Sequence, residues 1–288
     1  MRAIVVGMDG FIGRALAIEL VRQGHRAFGT TRRREGIVPG KIAYLDLVGG
    51  PWQVEPMSAD VGFICAAMTN MAECRRSPEQ ARLANTVGPV NVARAMLEKG
   101  IRPILLSTNA VFDCQEPLMA IDRPKNPSSL YGALKAEAED AILRVSSTAV
   151  VVRLTKVLAA SALLSGWWRA LNSGRRIEAA KDHRMAPISC EHAVTSLIAI
   201  AARATGGVYQ LSASSDVSYV DVAYRMAEKS GRGRELVSAK AATELGIPAN
   251  EVMHFTSLDA QRASELTGIA TPSPFVAIDQ TIERLFAG

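Results

Sequence analysis

Apolar positions follow two rhythms through the first half of the chain. Short, nearly continuous apolar runs at residues 3–6, 27–31, 42–45, 61–65, 104–107 and 149–154 predict strands buried on both faces, as in a parallel sheet. Between them, residues 11–23, 78–98 and 130–145 show the spacing of amphipathic helices, and Gly24 and Gly100 stand where left-handed caps would end two of them. Such alternation predicts an α/β fold, a Rossmann-type doubly wound parallel sheet. After Arg153 the rhythm loosens. Residues 161–173 predict a helix carrying Trp167 and Trp168, 189–204 a strongly apolar helix, 207–212 a strand and 217–230 a helix, with helical pieces up to Ala287. The expected organisation is a nucleotide-binding domain over residues 1–154, to which 189–211 return. A smaller, interleaved C-terminal substrate lobe takes 155–188 and 212–288.

Composition narrows the function classes. With 48% hydrophobic and 21% charged residues among 288, the chain is neither disordered nor of low complexity. The longest apolar run, residues 193–202, is too short to cross a bilayer, and Met1-Arg2 leads straight into the first predicted strand with no signal peptide before it. A soluble, cytoplasmic protein without a membrane partner is expected. The net charge of +5 is spread along the chain apart from Arg32-Arg33-Arg34. It lacks the basic stripe with interleaved aromatics of a nucleic-acid binder, and suits an enzyme handling a phosphorylated cofactor and an anionic substrate. Cys65, Cys74, Cys114 and Cys190, and His25, His183, His192 and His254, show no metal-ligand spacing, so reduced thiols and no metal are expected.

Gly7-Met8-Asp9-Gly10-Phe11-Ile12-Gly13 lies at the first strand–helix junction. Glycines there let the backbone approach a pyrophosphate, whose charge the helix N-terminal amides receive. The spacing is G-x-x-G-x-x-G, one residue longer at its start than the common dinucleotide fingerprint. The second strand ends in Thr30-Thr31-Arg32-Arg33-Arg34, with no Asp or Glu before Glu35. An acid at this point would hold ribose hydroxyls, whereas Arg accommodates a 2′-phosphate, so NADP(H) is predicted, with Arg32 closest to the strand end and Arg33 next. Asp46, followed by Leu47 past the third strand, reads either as an adenine contact or as a turn carboxylate. Tyr131 and Lys135 share one helix face at i and i+4. An ammonium beside a phenol favours the phenolate, which suits a general acid/base for carbonyl–alcohol interconversion. Thr108, ending the fifth strand after Ser107, would reach the same substrate oxygen.

These residues, with Ala66-Ala67 after the fourth strand and Asn85 in the next helix, make the chain resemble the extended short-chain dehydrogenase/reductase family over nearly its whole length. Ser107-Thr108-Asn109-Ala110-Val111-Phe112-Asp113 is similar to the S-T-D-x-V-F-D-G segment of its dTDP-4-dehydrorhamnose reductase branch, and Tyr131-Gly132 with Lys135 to the Y-G-x-x-K segment. The resemblance implies Tyr131 as proton donor, Thr108 as its hydrogen-bonding partner, Lys135 on the nicotinamide ribose and Asn85 as a positioning group. It departs from that branch at Phe11-Ile12, which replace Gln-Leu, at Asn109 and Cys114, and in Asp182-His183-Arg184-Met185-Ala186-Pro187, which lacks the Gln and Gly of D-Q-x-G-x-P. Asn109, Val111, Arg153, His183 and Arg184 are the expected substrate contacts. The implied activity is NADPH-dependent reduction of a keto group on a nucleotide-linked 4-keto-6-deoxy sugar. The expected partners are this small molecule and a second copy of the chain. Two other readings are open: a sugar-nucleotide epimerase or dehydratase that retains its dinucleotide, and a non-catalytic NADP-binding regulatory subunit.

Overall fold

The structure is a computed structural model and describes residues 1–50, 52, 58–159 and 161–286. The first half runs β1 (Arg2–Val6), α1 (Phe11–Arg22), β2 (Arg26–Thr31), β3 (Ile42–Tyr44), β4 (Val61–Ile64), α2 (Met71–Arg76), α3 (Pro78–Arg82), α4 (Gly88–Glu98), β5 (Arg102–Thr108), α5 (Leu130–Val145) and β6 (Val150–Leu154). There follow α6 (Ala162–Asn172), β7 (Ile177–Ala180), β8 (Arg184–Met185), α7 (Cys190–Arg203), β9 (Gly207–Leu211), β10 (Val217–Ser218), α8 (Tyr219–Lys229), β11 (Val237–Lys240), α9 (Gln261–Thr267) and α10 (Pro274–Phe286). Seven strands form one parallel sheet in the order β3-β2-β1-β4-β5-β6-β9. The order reverses direction between β1 and β4, where doubly wound sheets hold their ligands.

Strand alternation divides the core between the two faces of this sheet. Ala3, Val5, Phe63, Ile104, Leu106, Val150 and Val152 meet Leu16 and Leu20 of α1 and Leu197 and Ile200 of α7. Ile4, Val6, Ile64, Leu105 and Val151 face the other way, onto Val92 and Met96 of α4 and Ile142 of α5. A third cluster joins Trp167, Trp168 and Leu171 of α6, Ile177 of β7, Met226 of α8 and Ile278 and Ile282 of α10. Both tryptophans are therefore buried core residues. In this second region β7 pairs with β11 in parallel and β8 with β10 antiparallel, two-stranded ribbons too short to leave a hydrophobic period in the sequence.

Local physics accounts for the elements that differ from expectation. The helix predicted over 78–98 is interrupted: Leu83–Val87 forms a π-helical turn, and the Gly88 amide bonds back to Leu83 O. Pro89, which has no amide and crowds the carbonyl four residues earlier, stands two residues past the irregular turn. The helix predicted from residue 217 starts at Tyr219, because Ser218 and Asp221 close a capping box and Val217–Ser218 pair as a strand. The final helix is described to Phe286; Ala287 lies outside the described residues.

Candidate active site

The β1–α1 junction is a cradle made of backbone. Gly7 has φ +83°, and a Cβ there would lie 2.7 Å from that of Ala66, just past β4. At Gly13 a Cβ would stand 2.3 Å from Gly7 O, so the first turn of α1 can close onto the loop only without a side chain. Gly10 caps α1 with no side-chain bond, and the first turn carries no acid, which leaves its amides and the positive end of the helix for an anion. Phe11 is exposed and Ile12 partly buried beside the core under this turn. The loop is tied to β2 by Gly7 N donating to Thr30 Oγ1 at 3.2 Å and Met8 N to Thr30 O at 3.0 Å.

At the end of β2, Arg32 and Arg33 are exposed, and the Arg33 amide donates to Thr31 Oγ1 at 2.9 Å. The structure adds an acid that reading along β2 misses. The Thr31 hydroxyl donates to the Asp9 carboxylate, so the glycine loop delivers a negative group to the strand end where the chain itself has only arginines. Asp46 takes the turn role: its Oδ1 accepts from Val48 N at 3.0 Å and its carbonyl from Gly50 N at 3.1 Å. Leu47 is buried in the core. Ala66, beside Gly7, is held to the sheet by its amide bond to Val6 O at 3.0 Å, and Ala67 follows it, partly buried.

The second half of the site is built on β5 and α5. Thr108 ends β5 and caps the short turn Asn109–Val111, its Oγ1 accepting from Ala110 N at 3.2 Å. Ser129 caps α5 by accepting from Gly132 N at 3.1 Å, and a Cβ at Gly132 would fall 1.9 Å from Ala110 O. The glycine after Tyr131 thus lets the helix start close against β5, which brings the Tyr131 phenol to the Thr108 side chain. Burial pushes the phenol up to about 12, with the neighbouring Thr108 pulling the other way. The expected Lys135–phenol contact is replaced by another: Lys135 Nζ donates to Leu106 O at 2.6 Å, and burial pulls this ammonium down to about 8. Asn85, wholly buried in the π turn, clamps the loop after β4: Oδ1 accepts from Met68 N at 2.9 Å and Nδ2 donates to Met68 O at 3.0 Å. Met68 in turn packs with Tyr131 around Cys74, so the segment that carries Ala66 also abuts the phenol.

The expected substrate contacts separate into two groups. His183 stacks on Tyr219 with centroids 5.2 Å apart and accepts from Met253 N at Nδ1, and burial lowers its pKa. Arg184 is exposed, its guanidinium over the Phe255 ring. Asn109 reaches toward Cys114 Sγ at 3.6 Å and Met253 Sδ at 4.0 Å, so Met253 joins the two regions. Val111 and Arg153 do not line the cleft. Val111 is fully buried with Phe112, Met119 and Leu258, and Arg153, only 4% exposed, is spent on Glu139 and on Ile121 O. A guanidinium this buried, with its charge matched by the Glu139 carboxylate, is core rather than a free anion-binding group.

Two groups that sequence reasoning missed lie beside the expected substrate contacts. Lys156, two residues past β6, is exposed yet close enough to protein for its pKa to fall, and its charge reaches His183. Asp216 organises the 256–257 segment, accepting from Thr256 N at 2.6 Å, Thr256 Oγ1 at 3.0 Å, Ser257 N at 3.1 Å and Ser257 Oγ at 2.6 Å. Neither lies in a motif, and only their partners distant in sequence mark them out. Among the described residues no cluster of His, Cys, Asp and Glu could hold a metal, and no helix is long and apolar enough to cross a membrane.

The model of the RmlD substrate binding domain family matches residues 1–286. The chain belongs to this family. This RmlD-domain protein is 26% identical over 261 residues to a probable low-salt glycan biosynthesis reductase, Agl14, of Haloferax volcanii, covering 86% of this chain and 87% of the relative. Against the dTDP-4-dehydrorhamnose reductase of Mycolicibacterium smegmatis it is 29% identical over 154 residues, 53% of this chain and 44% of that protein. Its fold is shared with the crystal structure of dTDP-4-dehydrorhamnose reductase from Bacillus anthracis in complex with NADP, at a TM-score of 0.84 and 19% identity, covering 99% of this chain and 98% of the other.

Proposed function

We propose that this RmlD-domain protein is an NADPH-dependent reductase of a keto group on a nucleotide-linked 4-keto-6-deoxy sugar. The observation that carries the reading is the meeting of Tyr131 and Thr108 at the carboxyl end of β5, beside the buried Lys135. The residues present suit a dinucleotide: at Gly7 and Gly13 a Cβ would fill the cradle, and Arg32 and Arg33 stand free where a 2′-phosphate would sit. The α1 amides would take the pyrophosphate and Arg32 the 2′-phosphate, while Lys135, with one of its three N–H groups spent on Leu106, keeps two for ribose hydroxyls. When bound, the nicotinamide supplies the hydride. Tyr131 gives the proton to the developing alkoxide, Thr108 orients the phenol, and Lys135 holds the ribose beside them. Asn85 holds the Met68 segment against Tyr131 and so fixes one wall of the site.

The test is loss of NADPH absorbance with a panel of nucleoside-diphosphate 4-keto-6-deoxy sugars. Tyr131→Phe should bind NADPH as the wild type does and lose on the order of 10²–10⁴ in turnover, the usual worth of a positioned proton donor; unchanged turnover removes Tyr131 from the mechanism. A second reading rests on Asp9, whose carboxylate at the end of β2 suits ribose hydroxyls and thus NAD. An epimerase or dehydratase would retain that dinucleotide through purification, which absorbance and mass spectrometry of the fresh protein detect.

A further inference from the structure

We propose that Glu139 is a positioning residue that, paired with Arg153, holds Lys135 as an ammonium and fixes the end of β5 beneath the reacting groups. The proposal rests on the reductase reading of the Tyr131–Lys135 site. Tyr131, Lys135 and Glu139 follow one another at i, i+4 and i+8 along one face of α5. Three consecutive residues of β5 face it, and two of them bond to it. Thr108 meets the Tyr131 phenol, Leu106 O accepts from Lys135 Nζ at 2.6 Å, and Ser107 Oγ donates to Glu139 Oε1 at 2.5 Å. Glu139 thus anchors the residue between the two that the site uses.

Cationic partners surround the carboxylate. Glu139 has no exposed surface, yet Arg153 Nη2 donates to Oε2 at 2.9 Å, Nε to both oxygens at 3.2 Å, and Lys125 Nζ lies 3.6 Å from Oε2. Arg153 stands opposite Ser107 in the sheet, so strand pairing sets the ion pair. Its Nη1 donates to Ile121 O at 3.0 Å and to Gln210 Oε1 at 3.2 Å, and Gln210 Nε2 donates to Met119 O and Asp259 O, both at 2.9 Å. The titratable groups facing Lys135 are the Glu139 carboxylate on its own helix and the Cys65 thiol after β4, which burial pushes up to about 12; the charged groups facing Glu139 are Arg153 from β6 and Lys125 before α5, itself bonded to Asp140. Lys is seldom fully buried without a partner, and here the carboxylate one turn away works against the burial that strips its proton. A buried ion pair adds little net stability over apolar replacements, so its presence under the reacting groups favours a role in the site.

Glu139→Gln keeps an acceptor for Ser107 and removes the charge. Lysine side-chain NMR titration, with the Lys135 resonance assigned by its absence in Lys135→Met, reads the ammonium without any substrate. The wild-type midpoint is expected near 8, and that of E139Q about one pH unit lower, the scale on which a neighbouring charge acts. With a responding keto-sugar, the alkaline limb of kcat should move down by the same interval, KM should stay within about twofold, and turnover near pH 6.5 should recover, whereas a structural defect lowers kcat at every pH. An unchanged midpoint in folded E139Q overturns the proposal even if the protein reduces keto-sugars. A lowered midpoint in a protein that reduces none sustains the Glu139–Lys135 coupling and overturns the reductase reading. Should E139Q fail to fold, Glu139→Gln with Arg153→Gln, which leaves no unpaired buried charge, takes its place with the same expectation.

Discussion

The glycine loop and the segment around residues 253–259 are held by different means. In the loop, main-chain atoms do the holding: Gly7 rests on Ala66, Gly13 on Gly7 O, and the ties to β2 run from amides to Thr30. In the segment, side chains do it across long stretches of sequence. Asp216 collects four donors from Thr256 and Ser257, Thr256 Oγ1 then accepts from Ala186 N at 2.7 Å, and Gln210 spans Met119 O and Asp259 O. The lesson is that the first region tolerates changes of polarity but no added atom, and the second tolerates changes of size better than the loss of one acceptor.

Four substitutions sharpen that contrast. The largest effect is expected at Gly13→Val, where the new Cβ meets Gly7 O at 2.3 Å; NADPH affinity measured by fluorescence titration should fall by about a hundredfold or more, roughly 3 kcal/mol. Next, Asp216→Ala orphans donors on Thr256 and Ser257 and should cost about 2–4 kcal/mol in denaturant unfolding, with the keto-sugar KM raised and NADPH affinity kept within about threefold. If Asp216→Ala weakened NADPH as much as the sugar, the two regions would not be separable. The smallest effect concerns the acid at the end of β2. Arg32→Ser should lower, and Asp9→Asn raise, the ratio of NADPH to NADH affinity, each by about tenfold or 1.4 kcal/mol. Equal ratios in all three proteins would remove both residues from cofactor choice.

The contrast also explains what could be read before the fold was known. The buried strands, the glycine loop and the Tyr131–Lys135 pair were legible because each is encoded within a few residues by a period or a fixed helical spacing. Arg153 was misread for the opposite reason. At the end of a predicted strand an arginine looks available to a substrate, and only the register that sets it opposite Ser107, with Glu139 approaching from α5, shows that its charge is spent. Val111 sits in a motif that resembles a substrate segment, yet its side chain is core. Asp9 was counted as part of the glycine loop, and its reach to Thr31 follows from the pairing of β1 with β2.

By itself, then, the order of residues determined the parallel sheet, the place of the backbone cradle on it and the pairing of a phenol with an amine on one helix face, all consequences of short-range geometry. Tertiary structure alone decided which charges face the cleft and which are consumed beneath it. Those outcomes depend on which distant partners burial brings within hydrogen-bonding distance, and desolvation leaves a buried charge no alternative but to take the partner it meets.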